Sequence, residues 1–556
     1  MNRRLLPTIL ATPLAIAQSP QPAEPVTNAS ISGIVNDAST GRPLANYLVA
    51  TRVRPQKDKN IKARDVESTT DDQGRYHLND LPPGDYHIQA RSQKSFRSSL
   101  SKVVKVAGHD IEHIDFHFIL NGSISGKIVD ENGEPVPGLS VELIGREYFL
   151  GALRYHFEGF GSTNDRGEYT ITEVPPGRAS FLLAESRPRR LLAHSEVPLN
   201  PKLRRRIPMR TWYPNSPSRD GAQAITLRGG EHRESLDMQI RKSPSYCIDG
   251  TLEGAAGPAA LTFLIEALQP SSGVYANGGT FIGPLNGTTG RDGKFRLCDF
   301  FPGTFRFGFY GESANGQTVA PTNYGVEDFT IVDRDLHNLK FTSIPGTKLE
   351  GEVAWDGPPP DRQTDTQFML YLQPMFRTPF GGETLDARTE VPGKFSFEAL
   401  FADAYNAQPR RIPTGTYVKD ITYGGRSALY EPLQVGSAVG GGIHVIVGVD
   451  GGTISAQVTD KDSNPLADQH VLIVPYDATS EPIFAATMTT GITDQQGQFK
   501  SQTLRPGKYL IAATSDALDT TPETIARLMQ SRNHFQELDL PPKGAPQVTI
   551  QPTQFP

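Results

Sequence analysis

Long apolar runs are missing beyond the N-terminus. Mean hydropathy is −0.39, and no later stretch is long enough to span a membrane. A strong charge imbalance is missing too. The net charge of −6 over 556 residues predicts neither a nucleic-acid-binding protein nor an acidic tail. Aromatic residues make up only 8% of the chain. There is no G-x-S-x-G nucleophile elbow and no Walker phosphate loop, which removes two common catalytic frames. Cysteine is reduced to Cys247 and Cys298. Neither follows the N-terminal apolar stretch, so there is no lipid-acylation site there. Glycine (53) and proline (45), by contrast, are abundant. Spread through a long chain, they suit an all-β protein with many turns. Length alone predicts about three to five domains.

The N-terminus reads as a targeting segment. Arg3 and Arg4 form a short basic region, residues 5–17 are mostly apolar, and Ala15 and Ala17 are the small residues that a signal peptidase reads. Cleavage is expected after Ala17. Pro7 and Pro13 argue against a buried first helix. Residues 1–17 are therefore read as a signal peptide and 18–28 as a disordered leader. The protein is expected to be secreted or periplasmic, in an oxidising compartment, with no transmembrane anchor.

The strongest signal is an internal repeat. Residues 69–84 (TTDDQGRYHLNDLPPG), 162–177 (STNDRGEYTITEVPPG), 288–303 (TTGRDGKFRLCDFFPG) and 490–507 (TGITDQQGQFKSQTLRPG) share one turn–strand–turn pattern, and a weaker copy begins at Val391. Each copy follows a strand containing Gly33, Gly126, Gly250, Gly351 or Ala456. The turn glycines Gly74, Gly167, Gly293, Gly393 and Gly497 lie 41, 41, 43, 42 and 41 residues further on. A Pro-Gly turn ends ten residues later at Gly84, Gly177, Gly303 and Gly507. In the fourth copy the matching Gly415 lies 22 residues on, read as a loop insertion. Spacing this regular marks an array. Tyr76, Tyr169, Phe295, Phe395 and Phe499, two after the turn glycine, are expected to plug each core. Tyr86, Phe305, Tyr417 and Tyr509 are expected to do the same after the Pro-Gly turn.

Period-two alternation closes each unit. The fold class is accordingly all-β, a tandem array of about five Ig-like or prealbumin-like β-sandwich domains. The boundaries are set at 29–121, 122–243, 244–345, 346–449 and 450–556. Residues 520–531 carry a cap candidate and a good helix body, so one short helix is expected in the last domain.

The order G-x-V-x-D, G-x-P-L, T-D-x-x-G-x-Y and L-x-P-G resembles the carboxypeptidase regulatory-like domain, related to Cna-B and transthyretin-like sandwiches. Here it is residues 33–37 (GIVND), 41–44 (GRPL), 70–76 (TDDQGRY) and 81–84 (LPPG). The chain is similar to secreted bacterial proteins made of serial such domains. The resemblance implies a fold, and carbohydrate binding only through the starch-binding-like class.

Candidate chemistry is sparse. Residues 109–113 (HDIEH) match H-x-x-E-H, but that zinc spacing requires a helix, and the segment lies in strand-period sequence. The Asp-rich turns around Asp71, Asp292 and Asp494 lack the spaced ligands of a calcium loop. An isopeptide bond at Lys127 would need a Lys, an Asn or Asp and a Glu converging in one core. No catalytic residue, metal site or cofactor is assigned. Cys247 and Cys298 fall in one repeat of an exported chain and are expected to form a disulfide. It would contribute about 4 kcal/mol in the chain-entropy model. Tyr148, Tyr155, Phe157, Trp212 and Tyr213 form an aromatic group in the second repeat and are taken as a ligand-binding candidate. The function expected is a non-catalytic structural, adhesion or binding module at the bacterial cell envelope. Its partner would be a carbohydrate or an envelope protein, not nucleic acid. The alternative is a carbohydrate-binding protein, and a more distant one a zinc carboxypeptidase-associated protein.

Overall fold

The computed structural model describes residues 28–54, 63–93, 99–185, 205–254, 257–258, 261–267, 274–275, 285–311, 323–359, 366–374, 385–436 and 441–555. Residues 1–17, read as a signal peptide, the expected leader up to residue 27, and residues 186–204 lie outside them. The chain divides into two compact units, Met1–Phe118 and Ile119–Pro556. Among the described residues no helix is long and apolar enough to cross a membrane.

The protein is an all-β tandem array of sandwiches, and one topology recurs in all five copies. In the first, strand Ala29–Asp37 lies between Arg75–Leu81, antiparallel, and Phe116–Phe118, parallel. A second sheet runs Arg64–Thr69, Tyr47–Val53, Gly84–Ser92, Ser99–Val106. The same central strand recurs as Gly122–Val129, Tyr246–Gly254, Thr347–Asp356 and Ser455–Val458. Apolar residues at alternate positions meet between the sheets, as Val471, Ile473, Tyr509 and Ile511 do in the fifth copy. The alternation follows from the two-residue period of a strand.

The motif residues build this frame. The last residue of G-x-V-x-D closes the next turn: the Oδ1 atoms of Asp130 and Asp460 each accept two backbone N–H groups. Asp71, Asn164 and Asp494 do the same for the following turn, each accepting from the residues two and four further on. The preceding threonines, Thr70, Thr163 and Thr493, are buried and accept from the N–H of Tyr47, Leu139 and Gln469. Short polar side chains close turns in this way without a ligand.

The strand glycine has a steric reason. A Cβ on Gly33 would lie 2.2 Å from the carbonyl oxygen of Ile114, and one on Gly126 would lie 2.3 Å from that of Leu236. The hydroxyls of Tyr76 and Tyr169 donate to those same two carbonyls, at 2.5 and 2.6 Å. Glycine and tyrosine thus serve one carbonyl acceptor in each of the first two copies; the other three have phenylalanine at the tyrosine position.

Three features depart from expectation. First, the fourth copy has no insertion at its second turn. The strand after Gly393–Leu400 is Ala404–Arg411, which pairs with Gln367–Pro374 as Gly84–Ser92 pairs with Tyr47–Val53. Tyr405, twelve residues past Gly393, is the true counterpart of Tyr86 and Tyr509. All three hydroxyls donate to the carbonyl four residues back, on Pro82, Phe401 and Arg505. Asp403 stands where the others have glycine. That is tolerated because the backbone there has no positive φ, nor does Gly84. Gly415 instead opens strand Tyr417–Tyr423, which joins the other sheet.

Second, the last copy has two short helices, α1 (Glu481–Thr487) and α2 (Pro522–Gln530). Thr521 caps α2, its side chain accepting from the Thr524 N–H, with Pro522 in the first turn. Both are N-terminal signals. Third, neighbouring copies share structure. Val274–Tyr275 adds a parallel strand beside Arg154–Tyr155 of the second copy, and Tyr324 of the third packs into the fourth core.

Candidate functional site

Cys247 and Cys298 are bonded to each other across strands Tyr246–Gly254 and Lys294–Phe300. The five aromatic residues of the second copy do not form one platform. Strands Ser140–Phe149 and Ala152–Ser162 make a long hairpin. Tyr155 is 8% exposed and Trp212 1%. Both pack with Ile144, Phe181 and Leu183 on the outer face of the sheet, and the Arg219 guanidinium lies 3.8 Å from the Tyr155 ring centre. Trp212 lies on the short strand Thr211–Trp212, which pairs with Leu183 and Ala184 at the edge of this sheet. Ala222 also packs against this cluster, and two rings so buried cannot stack on a ligand. Phe157 lies beside Phe160 and is half-buried, and Tyr213 packs against the edge of the inter-sheet core.

Tyr148 does something else. At the hairpin tip its backbone N–H donates to the Thr520 carbonyl at 2.7 Å, and its hydroxyl donates to Glu481 at 2.7 Å. Its ring packs against the α1–α2 cluster. Burial and the Glu481 carboxylate push its hydroxyl pKa up to about 12. Arg146, two residues earlier, pairs with Glu523 of α2 at 2.6 Å. The tip of the second sandwich is thus bound to both helices of the fifth.

The nearest approach to catalytic geometry is a buried carboxylate under this hairpin. Glu158, with a side chain only 2% exposed, lies 3.3 Å from His156 and 3.4 Å from Arg178. It also accepts from the Ser180 hydroxyl. Gly145 leaves the room, since a Cβ there would strike the Glu158 carboxylate. A nucleophilic triad needs histidine between serine and carboxylate. Here the carboxylate is in the middle and closed to solvent, so the cluster fills a gap with paired charge.

The H-x-x-E-H match lies in a connection where Ile111 bridges to Ile31, with His109 and His113 both exposed and His113 at φ 64°. It is not helical, so the two imidazoles lack the zinc spacing. Among the described residues no group of three or more His, Cys, Asp or Glu is placed to hold a metal ion. Lys127 is exposed, not in a core.

One feature has no signature in the repeat comparison. A cavity of about 640 Å³ opens between the fourth and fifth sandwiches. Tyr417, Val418 and Tyr430 line it from one side, and Tyr476, Ile483 of α1 and the Pro-Gly turn at Arg505–Gly507 from the other. Tyr476 is 44% exposed and Tyr430 37%. Only the meeting of two copies creates it, and alignment of single copies cannot reveal that.

The topology defines a protein of serial β-sandwiches of one type. Its first copy, residues 30–118, matches the family model of the carboxypeptidase regulatory-like domain. No curated protein matches the chain. Solved structures similar to it include a streptococcal ancillary pilin, at 13% identity over 57% of this chain and 99% of that one, with a TM-score of 0.18. The minor pilin GBS52 of Streptococcus agalactiae matches at 14% identity over 39% and 97%, with a TM-score of 0.22. BcpA, the major pilin subunit of Bacillus cereus, matches at 10% over 55% and 99%, with a TM-score of 0.14. Likeness this low carries no argument about role.

Proposed function

We propose that this is an exported, non-catalytic protein acting as a structural, adhesion or binding module at the bacterial cell envelope. The supporting observation is that the repeated motif residues are engaged inside the frame. Their aspartates, threonines and tyrosines close turns and satisfy buried carbonyls. The hairpin contacts at Arg146 and Tyr148 fit a mechanical role, because they tie the second sandwich to the fifth. The Cys247–Cys298 bond fits an oxidising compartment. The reading takes residues 29–121, 122–243, 244–345, 346–449 and 450–556 as the five domains.

Cell fractionation with N-terminal sequencing tests it. The mature chain is expected outside the cytoplasm, beginning at Gln18. A chain found in the cytoplasm with residues 1–17 intact overturns it. Carbohydrate binding is the second reading. The buried Trp212 and Tyr155 do not support it, and the cleft between the fourth and fifth sandwiches does.

A further inference from the structure

We propose that this cleft is a binding site for a neutral oligosaccharide, with Tyr430 and Tyr476 as stacking faces and Asp477 and Gln502 as partners for sugar hydroxyls. Its volume, about 640 Å³, falls within the roughly 300–1,000 Å³ of small-ligand clefts. Two aromatic side chains more than a third exposed face it together with Ile483, itself 41% exposed. Asp477 and Gln502 are exposed on the same lining. A wholly apolar ligand would strip water from these two without replacing its hydrogen bonds. A ligand with C–H faces and hydroxyl edges satisfies both kinds of surface.

Charge decides between neutral and anionic sugars. Among the described residues two cations line the cleft, and both are engaged. Lys508 pairs with Glu537 at 2.5 Å and lies 4.7 Å from the Tyr476 ring centre. Arg505 donates to the Lys419 carbonyl and lies 5.8 Å from the Tyr417 ring centre. An acidic glycan would meet the Asp477 carboxylate instead. The walls are also held in place: Tyr417 donates to Asp450 at 3.0 Å, and Tyr509 to the Arg505 carbonyl at 2.7 Å. A preformed wall lowers the ordering cost of binding.

The proposal deepens the carbohydrate reading above and rests on it, and it is independent of where in the cell the chain is found. Titration calorimetry of the mature chain with maltohexaose, cellohexaose and chitohexaose tests it. At least one is expected to bind, and Tyr476→Ala and Tyr430→Ala are each expected to weaken that binding about tenfold. Both rings are partly exposed, so the melting temperature is expected to hold. No binding by any of the three overturns the proposal, as does undiminished binding in the double variant. Binding of a polyproline peptide with no glycan bound also overturns it. An exported chain that binds no glycan loses this proposal and the carbohydrate reading, and keeps the envelope reading. A cytoplasmic chain that binds glycan through these tyrosines loses only the envelope reading.

Discussion

The first and fifth sandwiches share one topology and differ in what covers the larger sheet. In the first, strand Gly84–Ser92 alternates, with Tyr86, Ile88 and Ala90 buried and His87, Gln89 and Arg91 exposed. In the fifth, its counterpart Gly507–Thr514 is buried continuously from Tyr509 to Thr514. The outer face there, Leu472, Val474, Leu510 and Ala512, lies under α1, α2 and Phe555. A sheet with one wet face ends at its own surface. A sheet covered on both faces acquires a second apolar layer, and that layer is what the hairpin of the second sandwich grips. Additions to the repeated frame, more than the frame itself, distinguish the copies.

The largest effect expected from breaking this contrast is Phe484→Ala. The ring is fully buried in α1, so its loss should cost about 3–5 kcal/mol, read as a lowered urea midpoint for the fifth sandwich. Unchanged stability would mean that the helix layer is not packed as described. Tyr148→Phe keeps the ring and removes the bond to Glu481. It should cost about 1.5 kcal/mol, seen as faster hydrogen exchange in both α1 and the hairpin. Exchange that quickens in one alone would deny the link. Thr521→Ala removes the α2 cap and should cost about 1 kcal/mol. In the first sandwich Val103 is 65% exposed on the uncovered sheet, and Val103→Ala should change stability by no more than about 0.5 kcal/mol. A larger loss would show that something covers that face as well.

Acid should narrow the contrast. Backbone N–H bonds, from Arg75 above all, lower the Asp71 pKa in the first sandwich, and bonds from Asn464 lower that of Asp460 in the fifth. Because the folded values lie below the ordinary 3.8, this stabilisation is full above that pH. It is lost as pH falls through the lowered values. Both sandwiches should weaken together below about pH 4 in urea titrations. Acid loss confined to one would show that the turn carboxylates differ in role.

Much of the frame was legible because it rests on local chemistry. Gly74, Gly167 and Gly497 adopt positive φ, and the Asp or Asn three residues before each closes its own turn. Both leave a mark at fixed spacing. The α2 cap was legible for the same reason. The fourth copy misled because Gly415 looks like the end of a Pro-Gly turn, while Asp403, at the position that matters, has no glycine to mark it. The hydrogen bond of Tyr405 to Phe401 identifies the counterpart. Helix α1 was missed: at seven residues it is too short for a clear helical period. Of the candidate aromatic site, Tyr155 and Trp212 are buried and Tyr148 is turned to the fifth sandwich. An aromatic group reads alike whether it faces solvent or packs inward, and Tyr155 and Trp212 pack inward, with Arg219 and Ala222 against them.

By itself the sequence determined the sandwich count, the turns that define each copy and the pair of cysteines, because each depends on residues near one another or at a constant interval. The tertiary structure alone decided which faces are covered, how the hairpin of the second copy meets the helices of the fifth, and the cleft between Tyr430 and Tyr476. The hairpin contact joins residues as far apart as Arg146 and Glu523, and the cleft joins two different copies. Such pairs leave no period and no motif, and only packing brings them together.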